Sequence, residues 1–155
     1  MRIFRMTIGM VALAAVAFCA DNTLGTWKMN VAKSKAPVGQ SPIKSVTAVR
    51  TAAGDGVKMS ATGEREDGTK IDFSYTAKYD GKSVSVTGAG LPYDMISAKQ
   101  VDANTVKSVS SKKGGKYKST GIFAVSKDGK TATLSTKGTG PDGKPFEGVS
   151  VFDKQ

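Results

Sequence analysis

The chain has 155 residues, with 23 Lys and Arg against 13 Asp and Glu and a formal net charge of +10. It contains no histidine and a single cysteine, Cys19. This excludes Ser-His-Asp and Cys-His catalysis, any intramolecular disulfide, and metal sites built on imidazole, the commonest transition-metal ligand.

In chain order, the first element reads as an export signal. Arg2 and Arg5 give a positive start, residues 8–17 form an apolar run, and Ala15, Ala17 and Cys19 place small residues before a cleavage point. The apolar stretch of residues 6–20 falls short of the roughly 20 residues that cross a bilayer, so the chain is not expected to be transmembrane. The expectation is a signal peptide over residues 1–19, cut between 17 and 20, and a secreted or periplasmic protein. A lipid anchor on Cys19 is the minor alternative, because Phe18 stands where a lipoprotein signal carries a small residue. Loss of Arg2 and Arg5 leaves residues 20–155 at +8, a length that suits one domain with one core.

Beyond residue 19, thirteen valines stand against three leucines, a bias toward strands. Turn signals recur at Gly54-Asp55-Gly56, Asp67-Gly68, Asp80-Gly81, Asp102-Ala103-Asn104, Gly114-Gly115, Asp128-Gly129 and Asp142-Gly143. Tight hairpins need positive φ, which Gly tolerates and Asp accepts. Between the turns the residues alternate. Ile71, Phe73, Tyr75, Ala77 and Tyr79 share one face, and Asp72, Ser74 and Lys78 the other. Val57, Met59 and Ala61 alternate with Lys58, Ser60 and Thr62 in the same way. Period two is the pattern of a half-buried antiparallel strand. The predicted strands are 25–31, 43–51, 57–65, 70–79, 83–88, 94–101, 105–112, 116–126, 131–137 and 145–152, with longer breaks at 32–42 and 88–92. The expected fold class is therefore all-β, an antiparallel up-and-down meander of about ten strands. Closure into a barrel would remove the two open edges. A two-sheet sandwich is the alternative.

The chemistry-bearing patterns read as structure. Gly138-Thr139-Gly140-Pro141-Asp142-Gly143 has the letters of a dinucleotide fingerprint but joins two strands, so it is a turn. The glutamates Glu64, Glu66 and Glu147 form no catalytic pair, Asp72 belongs to the outward face of its strand, and no loop has the alternating acids that calcium takes. No catalytic residue, metal site or cofactor is nominated. Lys112, Lys113, Lys116 and Lys118 surround Tyr117 in what reads as a solvated hairpin tip with the ring facing the core, not a nucleic-acid patch. Anionic envelope polymers are a second partner for this basic surface.

Two segments carry a family resemblance. Gly25-Thr26-Trp27-Lys28-Met29-Asn30 resembles the Gly-x-Trp start of the first strand in the lipocalin and fatty-acid-binding-protein (calycin) superfamily. Val149-Ser150-Val151-Phe152-Asp153-Lys154 resembles the last strand of the fatty-acid-binding proteins. The chain is also similar to small secreted bacterial lipocalin-like domain proteins of unknown function. The resemblance implies structural roles for Gly25 and Trp27, with the indole packed across the barrel base near the last strand. It also marks two departures. Where the fatty-acid-binding proteins hold a carboxylate with an Arg and a Tyr of the last strand, this chain has Ser150 and Phe152, and residues 32–42 are too short and proline-broken for their helical lid. The implied function is non-covalent binding of a small apolar or amphipathic ligand, lined by Met59, Ile71, Phe73, Tyr75, Val86, Phe123, Ser150 and Phe152. The alternative is a structural envelope or extracellular assembly subunit, homo-oligomeric through its strand edges. An enzyme is the third reading.

Overall fold

The computed structural model describes residues 20–36 and 41–155. The expected signal peptide, Cys19 included, lies outside the described residues, as does the middle of the break before residue 42. Eleven strands follow one another without a helix: β1 Gly25–Lys35, β2 Ile43–Ala53, β3 Gly56–Arg65, β4 Lys70–Lys78, β5 Val84–Ser85, β6 Thr87–Ala89, β7 Met95–Asp102, β8 Thr105–Ser111, β9 Lys118–Val125, β10 Thr131–Thr139 and β11 Pro145–Lys154. They form a single antiparallel sheet in the order β5-β7-β8-β9-β10-β11-β1-β2-β3-β4-β6. Apart from the short β5 and β6, neighbours in sequence are neighbours in the sheet, and β1 pairs with β11, Trp27 opposite Lys154 and Met29 opposite Phe152.

The two ends of that order are halves of one segment. Val84 and Ser85 pair with Ile96 and Met95 of β7, while Thr87, Gly88 and Ala89 pair with Ser74, Phe73 and Asp72 of β4. The chain steps across at Val86, whose N–H donates to the Asp94 carbonyl at 2.8 Å. The sheet is thus a nearly closed barrel, not a sandwich. The predicted strand 83–88 is two short strands, which raises the count from ten to eleven. β1 also runs on to Lys35, beyond its predicted end at residue 31. Its pairing with β11 shifts register between Asn30 and Lys35. There Ser34 Oγ donates to the Asn30 carbonyl (2.7 Å) and accepts the Val151 N–H (2.9 Å), so a hydroxyl takes the place of a ladder bond.

The Asp-Gly turns behave as their chemistry requires. Asp67, Asp80, Asp128 and Asp142 each accept, through Oδ1, the N–H two residues ahead, at 2.9–3.1 Å. The Gly138–Gly143 pattern is such a turn, joining β10 to β11.

Buried side chains gather at one end of the barrel, around Trp27, Phe123, Val125, Ala132 and Phe152. Residues 20–24 cross that end. Asn22 N–H donates to the Ala103 carbonyl (2.7 Å) and its amide to Asn104 (2.6 Å), while Tyr79 OH donates to Asp21 (2.6 Å). We call this end the floor. The turns at 66–69, 90–94, 112–117 and 140–144 ring the other end, the mouth.

Candidate functional site

Inward positions of nearly every strand enclose a cavity of about 240 Å³. Its walls differ. From β2, β3 and β4 come Val46, Ala48, Met59, Ala61, Ile71 and Phe73, an apolar surface. From β8 to β11 come Ser108, Ser110, Ser119, Thr136 and Ser150, a row of hydroxyls. Val106, Phe123, Leu134 and Phe152 complete that side toward the floor. At the mouth stand Arg65, Leu91, Pro92 and Phe146, which also line a second, more open depression, so the interior continues to the surface there.

Of the residues nominated from sequence, Met59, Ile71, Phe73, Tyr75, Phe123, Ser150 and Phe152 all line this cavity. Val86 does not. It sits at the step between β5 and β6 and packs against the core from the seam. Trp27 is fully buried (0% exposed), edge-on to Phe123 at 5.6 Å between ring centroids, with its Nε1–H donated to the Thr23 carbonyl at 3.0 Å. Lys154 of the last strand lies over the indole at 5.1 Å, a cation–π contact across the β1–β11 pair. Gly25 has φ 126°, and a Cβ there would meet the Lys154 side chain at 2.9 Å, so the glycine lets that lysine reach the tryptophan.

Alternation did not nominate the mouth aromatics. Tyr117 is buried and stacks on Tyr93 (5.7 Å) and on Phe146 (5.6 Å), while the flanking Lys112, Lys113, Lys116 and Lys118 are exposed. Tyr93 lies in a loop, where no periodicity marks it. Arg50 of β2 was also missed. It is 6% exposed and lines the cavity near the floor.

Burial dominates the tyrosine hydroxyls. It pushes those of Tyr75, Tyr93 and Tyr117 above the ordinary value near 10, and that of Tyr79 up to about 12, where the hydrogen bond to Asp21 adds to the effect. These are all four tyrosines of the chain. A raised folded value means that their contribution to stability is complete below pH 10 and is lost as pH rises through the folded values. Tyrosinate absorbance should therefore stay low well above pH 10 and then appear together with unfolding. A smooth titration centred near 10 in the folded protein would contradict the buried placement.

Among the described residues no three acidic or Cys side chains converge as a metal site would need. The cavity offers apolar contact, hydroxyls and one guanidinium at the floor, an arrangement for binding.

The barrel, its Gly-x-Trp first strand and the cavity above the tryptophan define a calycin-type fold. Among solved structures, the zebrafish ileal bile acid-binding protein, crystallised with cholic acid, is similar to this chain with a TM-score of 0.52 and 10% identity, over 87% of this chain and 100% of that one. No protein-family model and no curated protein matches the sequence.

Proposed function

We propose that this protein binds a small apolar or amphipathic molecule non-covalently inside the barrel, as a secreted or periplasmic carrier. The observation that carries this reading is the cavity itself. It is lined by the inward faces of both halves of the barrel, blocked at the floor by Trp27 and residues 20–24, and reached past Arg65, Pro92 and Phe146. Enclosed, mostly apolar spaces with a few placed polar groups are the usual form of small-molecule sites. The zebrafish neighbour, whose structure holds cholic acid, gives the same architecture a precedent as a binding barrel. Barrel closure weighs against an assembly subunit built on strand edges, because the bridging segment 84–89 covers part of each edge.

Native mass spectrometry of protein purified from its own host tests both parts of the proposal. The mass is expected to begin at a residue between 18 and 20 and to include a non-covalent small molecule. Ala61 is 2% exposed and faces the cavity from β3. Ala61→Phe fills that space at about 1–3 kcal/mol of overpacking and is expected to remove the extra mass. Wild-type protein without any bound molecule, and a delipidated form that takes up none, would overturn the carrier reading. An intact Met1 would overturn export.

A further inference from the structure

The barrel interior holds a charge that an apolar ligand would not use. Val46, Ala48 and Arg50 are the inward residues of β2, and Arg50 is as buried as its neighbours. Its Nη2 donates to Thr23 Oγ1 at 3.2 Å, and its guanidinium carbon lies 5.0 Å from the centre of the Phe123 ring. Its Nε is enclosed and has no hydrogen-bond partner. Among the described residues the guanidinium makes no salt bridge.

The carboxylate linked to it is already occupied. Asp21 Oδ1 accepts the Thr23 hydroxyl (2.5 Å) and the Thr23 N–H (3.0 Å), and Oδ2 accepts the Tyr79 hydroxyl (2.6 Å). Asp21 therefore meets Arg50 only through Thr23.

A buried cation without a partner anion is costly, and an apolar side chain of similar volume would serve the core better. Arginine is also the side chain whose donors suit a carboxylate. Arg50 does not stand alone. It lies opposite Met59, and Met59 opposite Tyr75, so the three form one row across β2, β3 and β4, all on the cavity wall. The Tyr75 hydroxyl, protonated at neutral pH like any phenol and raised further by burial, can donate.

We propose that Arg50 and Tyr75 form a head-group subsite at the cavity floor, which takes the carboxylate of an amphipathic ligand whose apolar body runs along Ala48, Ala61 and Ile71 toward the mouth. This rests on the ligand-binding reading and narrows it to anionic amphiphiles. On the cavity wall the last strand, with Ser150 and Phe152, supplies no cation, and the second strand supplies one in its place.

The test is titration calorimetry of the delipidated protein with decanoate, decanol and decylamine. Decanoate is expected to bind about ten- to a hundredfold more tightly than decanol, the usual worth of a charge-assisted hydrogen bond, and decylamine not at all. In Arg50→Met the acid should fall to the level of the alcohol while the alcohol keeps its affinity. Equal binding of acid and alcohol by the wild type would overturn the subsite and leave the cavity reading standing. Failure of all three to bind would overturn the cavity reading, and the subsite with it. Should Arg50→Met not fold, carboxyl-labelled decanoate on the wild type decides by NMR. Its bound carboxyl should titrate below the free acid, as a carboxylate beside a guanidinium does, and an unshifted or raised titration would overturn the subsite.

Discussion

Trp27→Ala is expected to cost about 3–5 kcal/mol, as large aromatic truncations in cores do, and to strip the protein of most of its cooperative melt. Three contacts disappear with the indole. The edge-on packing against Phe123 leaves a void beside Phe152, Lys154 loses the ring beneath its ammonium group, and the Thr23 carbonyl loses its donor. The last loss reaches furthest, because Thr23 belongs to the segment that closes the floor and is itself fully buried. A domain of this size has about 5–15 kcal/mol of stability in total, and no disulfide can form here to compensate. Urea denaturation followed by circular dichroism gives the difference. The wild-type indole should also emit at short wavelength and resist quenching by acrylamide. A Trp27→Ala midpoint equal to that of the wild type would mean that the floor is not held as described.

Much of this architecture can be read from the sequence because its signals are local. The alternation of Ile71, Phe73, Tyr75 and Ala77 against Asp72 and Lys78 sets β4, and the burial pattern along that strand follows it, with Ile71, Phe73 and Ala77 buried and Asp72 and Lys78 exposed. The Asp-Gly pairs set the turns because the requirement for positive φ is met or missed within two residues. Other features depend on the closed barrel. The split at Val86 arises because one segment must serve two neighbours, β7 and β4, that do not pair along their length. Nothing within residues 83–88 encodes that division. The extension of β1 to Lys35 depends on a serine hydroxyl meeting β11, a partner more than a hundred residues away. Arg50 is the clearest loss. At positions 49 and 50 the usual polarity is inverted, with Val49 36% exposed and Arg50 buried. Val46 and Ala48 do share a face with Arg50 by period two. That spacing was the available signal, and it is outweighed by the expectation that a charge points outward.

Gly88→Val is expected to open the seam of the barrel. Gly88 lies in β6 opposite Phe73, with φ 116°, a conformation that a β-branched residue does not adopt without strain. The space is closed as well. A Cβ at this position would sit 2.1 Å from the Asp72 carbonyl oxygen and 2.7 Å from the Phe73 Cα, both backbone atoms of β4 that no rotamer change can move. Strain and clash together should cost about 3 kcal/mol or more. The cost falls on one of the two short pairings that close the seam, since β6 holds β4 through only the residues opposite Asp72, Phe73 and Ser74. That pairing should yield first. Loss of it frees the edge of β4 to pair with another chain and exposes the apolar wall of Ile71 and Phe73. Hydrogen exchange should accelerate at residues 72–74 and 87–89 before the floor loosens, and the protein should associate in a concentration-dependent way and bind ligand poorly. Gly81→Ala supplies the control. Gly81 has φ 77° in the turn after β4, but nothing lies within 4 Å of its Cβ position, so that variant carries backbone strain alone, about 1–2 kcal/mol. If Gly88→Val melts with Gly81→Ala and stays monomeric, then β6 is not the clasp of the barrel, and β4 and β7 are held by the core alone.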